Sequence, residues 1–543
     1  MSLKSRLGAQ PIFLLEIVWG AQVFRLASDA VDVPSDDGWL NYTGGLKDFD
    51  FIESMNLNQI NPEANGLSCA CYLDGVDMLL EMARGNTLEG SSAEFSYVIY
   101  DRASVDSYEN RIILIKGKIQ EPQYGDPMEP ETFVALSVQA EPFDEARLIL
   151  DPRLKIDERF STRDLDTADG KSWPIIFGNP GTVIQADGTS TEVFSCPAYA
   201  SASHFSDIRA FISAGELVAT QAKIRDELGQ TLTKSISKAH DTSGNVYSYL
   251  SIAQSDAIAF PGTATAAGES SREWWISIDG GIDSPYQDGA LSGAGDICRW
   301  ALGKTGQTID DGAWANLSGV LNRYEFSGFI NDQTIGAWEW LSGNILPYLP
   351  ISVITGPKGI KPVLIQLWAL HLVHPVATVS VGIAQDWLQL SAVETIRITG
   401  DLINRSVVTY APKGFDDDTS QQVICTAFPS GEGEIGSDYA VISQQRYGQQ
   451  EVGLSTDYVY SRNTASRIAM DAVRAQALPI RQVRVLAGFE WGWLELGDVI
   501  ETTISRLHLF THRMLLVSKE WNGEAFVFSL IYEDSHIQNE RPA

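Results

Sequence analysis

Along most of this chain, apolar residues recur in short alternating or continuous runs bounded by turn residues, a pattern that predicts a mainly β protein with a few helices. Ile12–Ala27 (IFLLEIVWGAQVFRLA) reads as two strands around the turn Trp19-Gly20-Ala21-Gln22. Asp74–Arg84 has apolar residues at Val76, Leu79, Leu80 and Ala83, the spacing of a short amphipathic helix. Arg111–Gln120 and Thr132–Glu141 alternate as strands, separated by Glu121–Glu131 with its three prolines and a glycine. Trp173–Gly181 reads as a strand ended by a turn, and His204–Leu228 has helical character through Ile208, Phe211, Ile212, Leu217 and Ala222. Gly262–Ser271 is small and polar, which suits a surface loop.

Further on, Asp296–Gly303 and Gln333–Leu346 read as helices, Val363–Val381 as buried strands, and Val393–Tyr410 as two strands around Gly400-Asp401. Asn463–Leu478 carries the clearest helical stripe: Ala465, Ile468, Ala469, Ala472, Val473 and Ala477 share one face. Asn463 or Thr464 is its expected cap, and Pro479 stops it. Ile480–Leu486, Trp493–Thr502, Met514–Lys519 and Ala525–Tyr532 follow as strands. The fold class is therefore mainly β with α (α+β), in four segments. These are a β domain over 1–148, a β-rich middle over 149–290, a Trp-rich helical or mixed domain over 291–380, and a C-terminal β domain over 381–543.

Composition narrows the function. The 543 residues carry 39 Lys+Arg against 70 Asp+Glu, a formal charge of −31. With 44% hydrophobic residues the chain can bury a core, so it is not disordered. The charge repels nucleic acid and anionic membranes rather than gripping them. No uninterrupted apolar run is long enough to cross a bilayer, and Glu16 breaks the N-terminal run that could imitate a signal peptide. Cys69, Cys71, Cys196, Cys298 and Cys425 are odd in number and widely spaced, and are expected to be free thiols.

Candidate chemistry is sparse. Gly303-Lys304-Thr305 imitates the end of a phosphate loop, but the earlier glycine such a loop needs is Cys298. His371 and His374 would point to opposite faces of a strand, so they are not expected to share a metal. Asp416-Asp417-Asp418 and Asp279–Asp283 lack the ligand order of a calcium loop and read as solvated turns. There is no nucleophile elbow, and the 7 histidines are scattered. No catalytic, cofactor-binding or metal-binding residue is assigned, and no enzyme activity is expected. Half of the 14 tryptophans fall between Trp274 and Trp368. Trp300, Trp314, Trp338 and Trp340 could stack on sugars, but filling the core of a small domain is the favoured reading.

One resemblance rests on the order of several motifs. The helix Asn463–Leu478 leads into Arg481-Gln482-Val483-Arg484-Val485, then Leu496-Gly497-Asp498-Val499-Ile500, then the strands Arg513–Lys519 and Ala525–Tyr532. This run resembles the tail-tube-like domain of phage baseplate and tail-tip hub proteins. Phe13–Leu26 is similar to the opening hairpin of siphophage tail-tip proteins. Asp296 to Asp311, with Phe329–Thr334, is similar to their small helical hub domain. The resemblance implies a homotrimeric ring with two tube-like domains per subunit, located at the tail tip of a virion and synthesised in a host cytoplasm. Its implied partners are the distal tail or tail-tube protein, the tape-measure protein and tip or fibre proteins. DNA would pass through the ring without being specifically bound, and no cofactor is implied. A carbohydrate-binding or glycan-hydrolysing tail-associated protein using the Trp-rich region is the alternative. An acidic channel wall is the expected consequence of the charge.

Overall fold

In a computed structural model the chain is mostly β, with helices confined to a few short elements. The structure describes all residues except 1–8, 56–65, 102–103, 126–130, 141–146, 157–170, 201–206, 226–230, 241–243, 254–273, 382–386, 396–400, 412–419, 508 and 534–543. The segments Gly262–Ser271 and Asp416–Asp418 therefore lie outside the described residues. Two compact units form. The first joins residues 1–142, 351–398 and 479–543, and the second joins 143–350 and 399–478. This grouping differs from the four consecutive segments 1–148, 149–290, 291–380 and 381–543, because the chain crosses between units three times after leaving the first.

The first unit is built on one 14-stranded sheet. Its N-terminal part comprises β1 (Gln10–Trp19), β2 (Gln22–Ala27), β3 (Val31–Ser35), β4 (Gly38–Tyr42), β5 (Leu46–Ser54), β6 (Gly66–Asp74), α1 (Gly75–Ala83), β7 (Ser92–Asp101), β8 (Ser104–Val105), β9 (Ile112–Tyr124) and β10 (Glu131–Ala140). Its C-terminal part comprises β11 (Trp387–Thr395), β12 (Ile480–Ala487), β13 (Val499–Ile504), β14 (Leu509–Trp521) and β15 (Phe526–Glu533). The sheet runs β2-β1-β7-β9-β10-β6-β5-β14-β15-β12-β11, with β13 on β14, β8 on β7 and Ala377–Ser380 parallel to β13. β3 and β4 pair separately as a hairpin.

β1 shows why its sequence is nearly continuous in apolar residues. Phe13, Leu15, Ile17 and Trp19 enter the main core, while Ile12 and Leu14 enter a small second core with Val33, Tyr42 and Val98. A strand covered on both faces has no reason to alternate. Glu16 interrupts the run because it is used: Tyr42 and Tyr108 hydroxyls donate to it at 2.7 and 2.9 Å, and Arg25 Nε at 2.9 Å. Burial alone would raise its carboxyl, but those bonds outweigh the burial and hold it below the ordinary carboxylate range.

Several expected elements are corrected. His204–Leu228 is not helical: Asp207–Ala214 and Gln221–Arg225 are strands. There the β-branched and small residues close a barrel whose neighbours the local sequence does not reveal. In α1, Leu79, Leu80 and Ala83 are exposed, and the helix buries Met78 and Glu81 instead. Val363–Val381 contains the end of one strand, a 3₁₀ turn over Leu367–Leu372 and the short strand Ala377–Ser380. Trp493–Asp498 is turn rather than strand. Val393 and Tyr410 do not belong to one hairpin: β11 pairs with β12 in the first unit, and Arg405–Tyr410 pairs with Gln421–Thr426 in the second.

The second unit holds a closed six-stranded barrel, Cys196–Ala200, Asp207–Ala214, Val246–Ala253, Thr231–His240, Gln221–Arg225 and Trp274–Ser277 in spatial order. It also holds the helices α2 (Ala294–Thr305), α3 (Asp311–Leu321), α4 (Ala337–Asn344), α5 (Asp438–Tyr447) and α6 (Arg462–Gln476). A four-stranded sheet over residues 405–455 carries α6 on Arg405–Tyr410 and Gln421–Thr426. The cap of α6 is Ser461, whose hydroxyl accepts from Asn463 N at 3.2 Å, rather than Asn463 or Thr464. Thr464 is buried and its hydroxyl instead accepts from Glu325 N. No helix among the described residues is long and apolar enough to cross a membrane.

Candidate functional site

The most highly built place in the first unit is the seam where the N-terminal and C-terminal parts of the chain become one sheet. β5 and β14 pair antiparallel over Ser54–Ser518, Glu53–Lys519, Ile52–Glu520 and Phe51–Trp521. Glu53 and Lys519 are opposite one another, both side chains about 4% exposed, with Lys519 Nζ 3.2 Å from Glu53 Oε2. The ammonium also donates to the carbonyls of Leu494 at 2.9 Å and Gly492 at 3.3 Å. Lysine has three N–H donors, and here each meets an acceptor, which is the condition for burying the charge without a large penalty. The Phe51 ring lies 5.7 Å from the same nitrogen.

Two further contacts lock the seam. Tyr97 on β7 donates its hydroxyl to Phe489 O at 2.6 Å. A Cβ on Gly492 would lie 2.5 Å from both that hydroxyl and the Phe526 ring, so the loop approaches β7 only because residue 492 is glycine. Phe13 of β1 meets Trp521 of β14 at a ring-centroid distance of 4.8 Å, and Trp521 meets Phe526 at 5.0 Å. One continuous core runs under both parts.

The Leu496-Gly497-Asp498-Val499 motif positions the strand feeding this seam. Gly497 has φ +89°, and its N–H donates to Leu516 O at 2.9 Å. Asp498 Oδ2 accepts from Glu495 N at 2.8 Å, closing the turn, and burial pushes its carboxyl up. Lys361 pairs with Glu495 beside it. At the far end of the N-terminal part, fully buried Glu81 accepts from Asn86 Nδ2 at 2.6 Å, from Arg84 and from the backbone of Ala21. The Asn86 bond is the main reason its carboxyl lies below the ordinary range. A Cβ on Gly20 would stand 2.1 Å from Glu81 Oε2, so the Trp19–Gln22 turn is docked on this carboxylate.

The second unit has its own polar lock. Tyr324 donates its hydroxyl to Asp471 on α6, Arg474 lies 3.5 Å from the other carboxylate oxygen, and Arg467 lies over the Tyr324 ring. Asp296 at the start of α2 exchanges hydrogen bonds with Asn322, and Gly293 and Gly295 leave the room for that asparagine.

The sequence candidates fall as follows. Gly303-Lys304-Thr305 is the last turn of α2, with Thr305 Oγ1 donating to Leu302 O and Lys304 lying over Trp300, and it forms no phosphate loop. His371 ends a 3₁₀ turn and His374 follows it, with His374 Nδ1 3.1 Å from Pro375 O. Asp279 accepts from Gly181 N and Thr182 Oγ1, which ties together two segments far apart in the chain. Among the described residues no group of His, Cys, Asp and Glu could hold a metal. The five cysteines are free and buried, and burial pushes the Cys71 and Cys196 thiols up to about 12. Trp314, Trp338 and Trp340 are core residues; Trp340 meets Phe177 and Tyr458 edge-to-face, both at 5.7 Å. Trp300 is half-buried. Sequence reasoning missed Glu53, Glu81 and Lys519. Nothing in the local sequence signalled the pair: Lys519 is followed by Glu520, and the strand of Glu53 also carries Lys47, Asp48 and Asp50.

No protein-family model and no curated protein matches the sequence. Among solved structures, the chain is similar to a tail protein from Neisseria meningitidis MC58, at TM-score 0.36 and 8% identity, covering 97% of each chain. It is also similar to a chain from the virion of a native gene transfer agent particle, at TM-score 0.34 and 12% identity, covering 74% of this chain and 94% of the other.

Proposed function

We propose that the protein is a structural component of a phage-type tail, a hub at the tail tip that forms a homotrimeric ring and continues the tail tube. The observation that carries this reading is the seam: two β modules from opposite ends of one chain share a single 14-stranded sheet and a single core. A subunit that presents two tube-like modules lets three copies match a sixfold tube. The ordered motifs at Phe13–Leu26, Asp296–Asp311, Phe329–Thr334 and Asn463–Tyr532 support the same reading by their resemblance to tail-tip hubs. Connection to the tail tube, to the tape-measure protein and to tip or fibre proteins follows from that role, as does passage of DNA through the ring. The hub acts by geometry and not by catalysis. Burial of Trp314, Trp338 and Trp340 favours core filling over a sugar platform for these three rings, while Trp300 is half-buried.

Light scattering with image averaging of the purified chain tests the reading. A particle of three subunits with a central hole is expected; a monomer under all conditions of salt and concentration overturns it.

A further inference from the structure

The face of the N-terminal sheet opposite the main core carries a feature that the hub role does not use. In β6 and β10, Leu67, Cys69 and Cys71 and Val134, Leu136 and Val138 enter the core, so the intervening residues face the other way. There an open concavity of about 560 Å³ spans β6, β10 and β9, within the range of small-ligand sites. Ser68, Ser137 and Gln120 lie opposite one another across the three strands and cross its floor. Gln123, Gln139 and Glu121 complete the polar lining. The side chains of these six residues spend no hydrogen bond on other described residues. Ser68, Glu121, Gln123 and Gln139 are exposed and Gln120 and Ser137 half-buried, so their polar groups are open to a ligand.

The backbone is shaped to make the hollow. β9 bulges against β10 between Ala135 and Ser137, and within the bulge Glu121 takes φ +38°. A non-glycine residue in that region is strained, and such strain concentrates at functional positions.

Chemistry selects the ligand. Three amides and two hydroxyls each donate and accept, which matches the hydroxyls of a sugar, and Glu121 adds one strong acceptor. Among the described residues no cation lines the hollow: on the neighbouring stretch of β9, Lys118 is bonded to Ser92 and Lys116 to Glu94. A phosphate or sulfate ligand therefore has no counter-charge, and a chain of net charge −31 repels it. We infer that this concavity binds a neutral oligosaccharide.

Titration calorimetry of the full chain with chitotriose, maltotriose and cellotriose tests the inference, with heparin as the anionic control. Saturable binding of at least one neutral trisaccharide is expected, weakened about tenfold by Gln120→Ala and abolished by Ser137→Trp, which fills the hollow. Thermal unfolding of Gln120→Ala should match the parent chain, so that variant decides even if Ser137→Trp does not fold. The inference is overturned if none of the three sugars binds, if binding is unchanged in the variants, or if heparin alone binds.

Discussion

Lys519 is a cation inside a hydrophobic core, and its value lies in what it prevents. With Lys519 replaced by methionine, Glu53 would stay buried opposite an apolar side chain, and the carbonyls of Gly492 and Leu494 would lose a donor. Lys519→Met is expected to destabilise the first unit by about 3–5 kcal/mol, read from denaturant unfolding. Adding Glu53→Leu should recover most of that loss, because the penalty is an uncompensated charge rather than a missing attraction. Asp471 makes the stability of the second unit depend on pH. Burial raises its carboxyl, and the Tyr324 bond and the charges of Arg474 and Arg467 only partly offset this. A raised native pKa means that the folded chain binds the proton more tightly than the unfolded one. The associated stability is present below the unfolded value of about 3.9 and is lost as pH rises through the native value. Melting curves across that window should show the decline in the parent chain and its absence in Asp471→Asn, whose amide oxygen still accepts from Tyr324.

At the scale of elements, the turn at Gly497 is the most constrained. An alanine there would be forced into φ +89° with its Cβ 2.6 Å from Val363 Cγ1. Gly497→Ala should cost about 2–4 kcal/mol, combining left-handed strain with overpacking, and would be seen as a lowered melting temperature. Elements with strong local signals were legible in the sequence: the β1–β2 turn at Gly20, α6 with its small-residue stripe, and after Pro479 the strands at Ile480–Leu486 and Ala525–Tyr532. Those that failed were decided by neighbours far away in the chain. Asp207–Ala214 has apolar residues at spacings that fit a helix, yet barrel partners at Val246–Ala253 claim its backbone. In α1, Leu79, Leu80 and Ala83 of the predicted apolar face are exposed because Glu81 is recruited by the Trp19–Gln22 turn. Periodicity reports what could be buried, not what a distant turn requires.

For the whole molecule, charge sets a condition on assembly. Each subunit of the proposed ring brings −31, so like charges oppose association and apolar or strand-edge contacts must overcome them. Raising ionic strength from about 0.01 to about 0.15 M shortens the screening length from roughly 30 to roughly 8 Å. Ring formation should therefore strengthen with salt, measurable by sedimentation; dissociation by salt would show instead that ion pairs hold the subunits together. An acidic channel wall remains part of the proposal, and a three-subunit density map with a Lys- and Arg-lined hole would contradict it.

What the sequence determined by itself was local or additive: the β-rich class, the free cysteines, the net charge and the best helix. These follow from composition, short-range periodicity and turn chemistry, which act over a few residues. Tertiary structure alone decided that residues 1–142 and 479–543 share one sheet, that α6 and the strands following it part company at Pro479, and that Glu53 meets Lys519. Such pairings join positions hundreds of residues apart. The register that brings a buried carboxylate opposite a buried ammonium is chosen by the packing of the whole core, to which no single window of sequence has access.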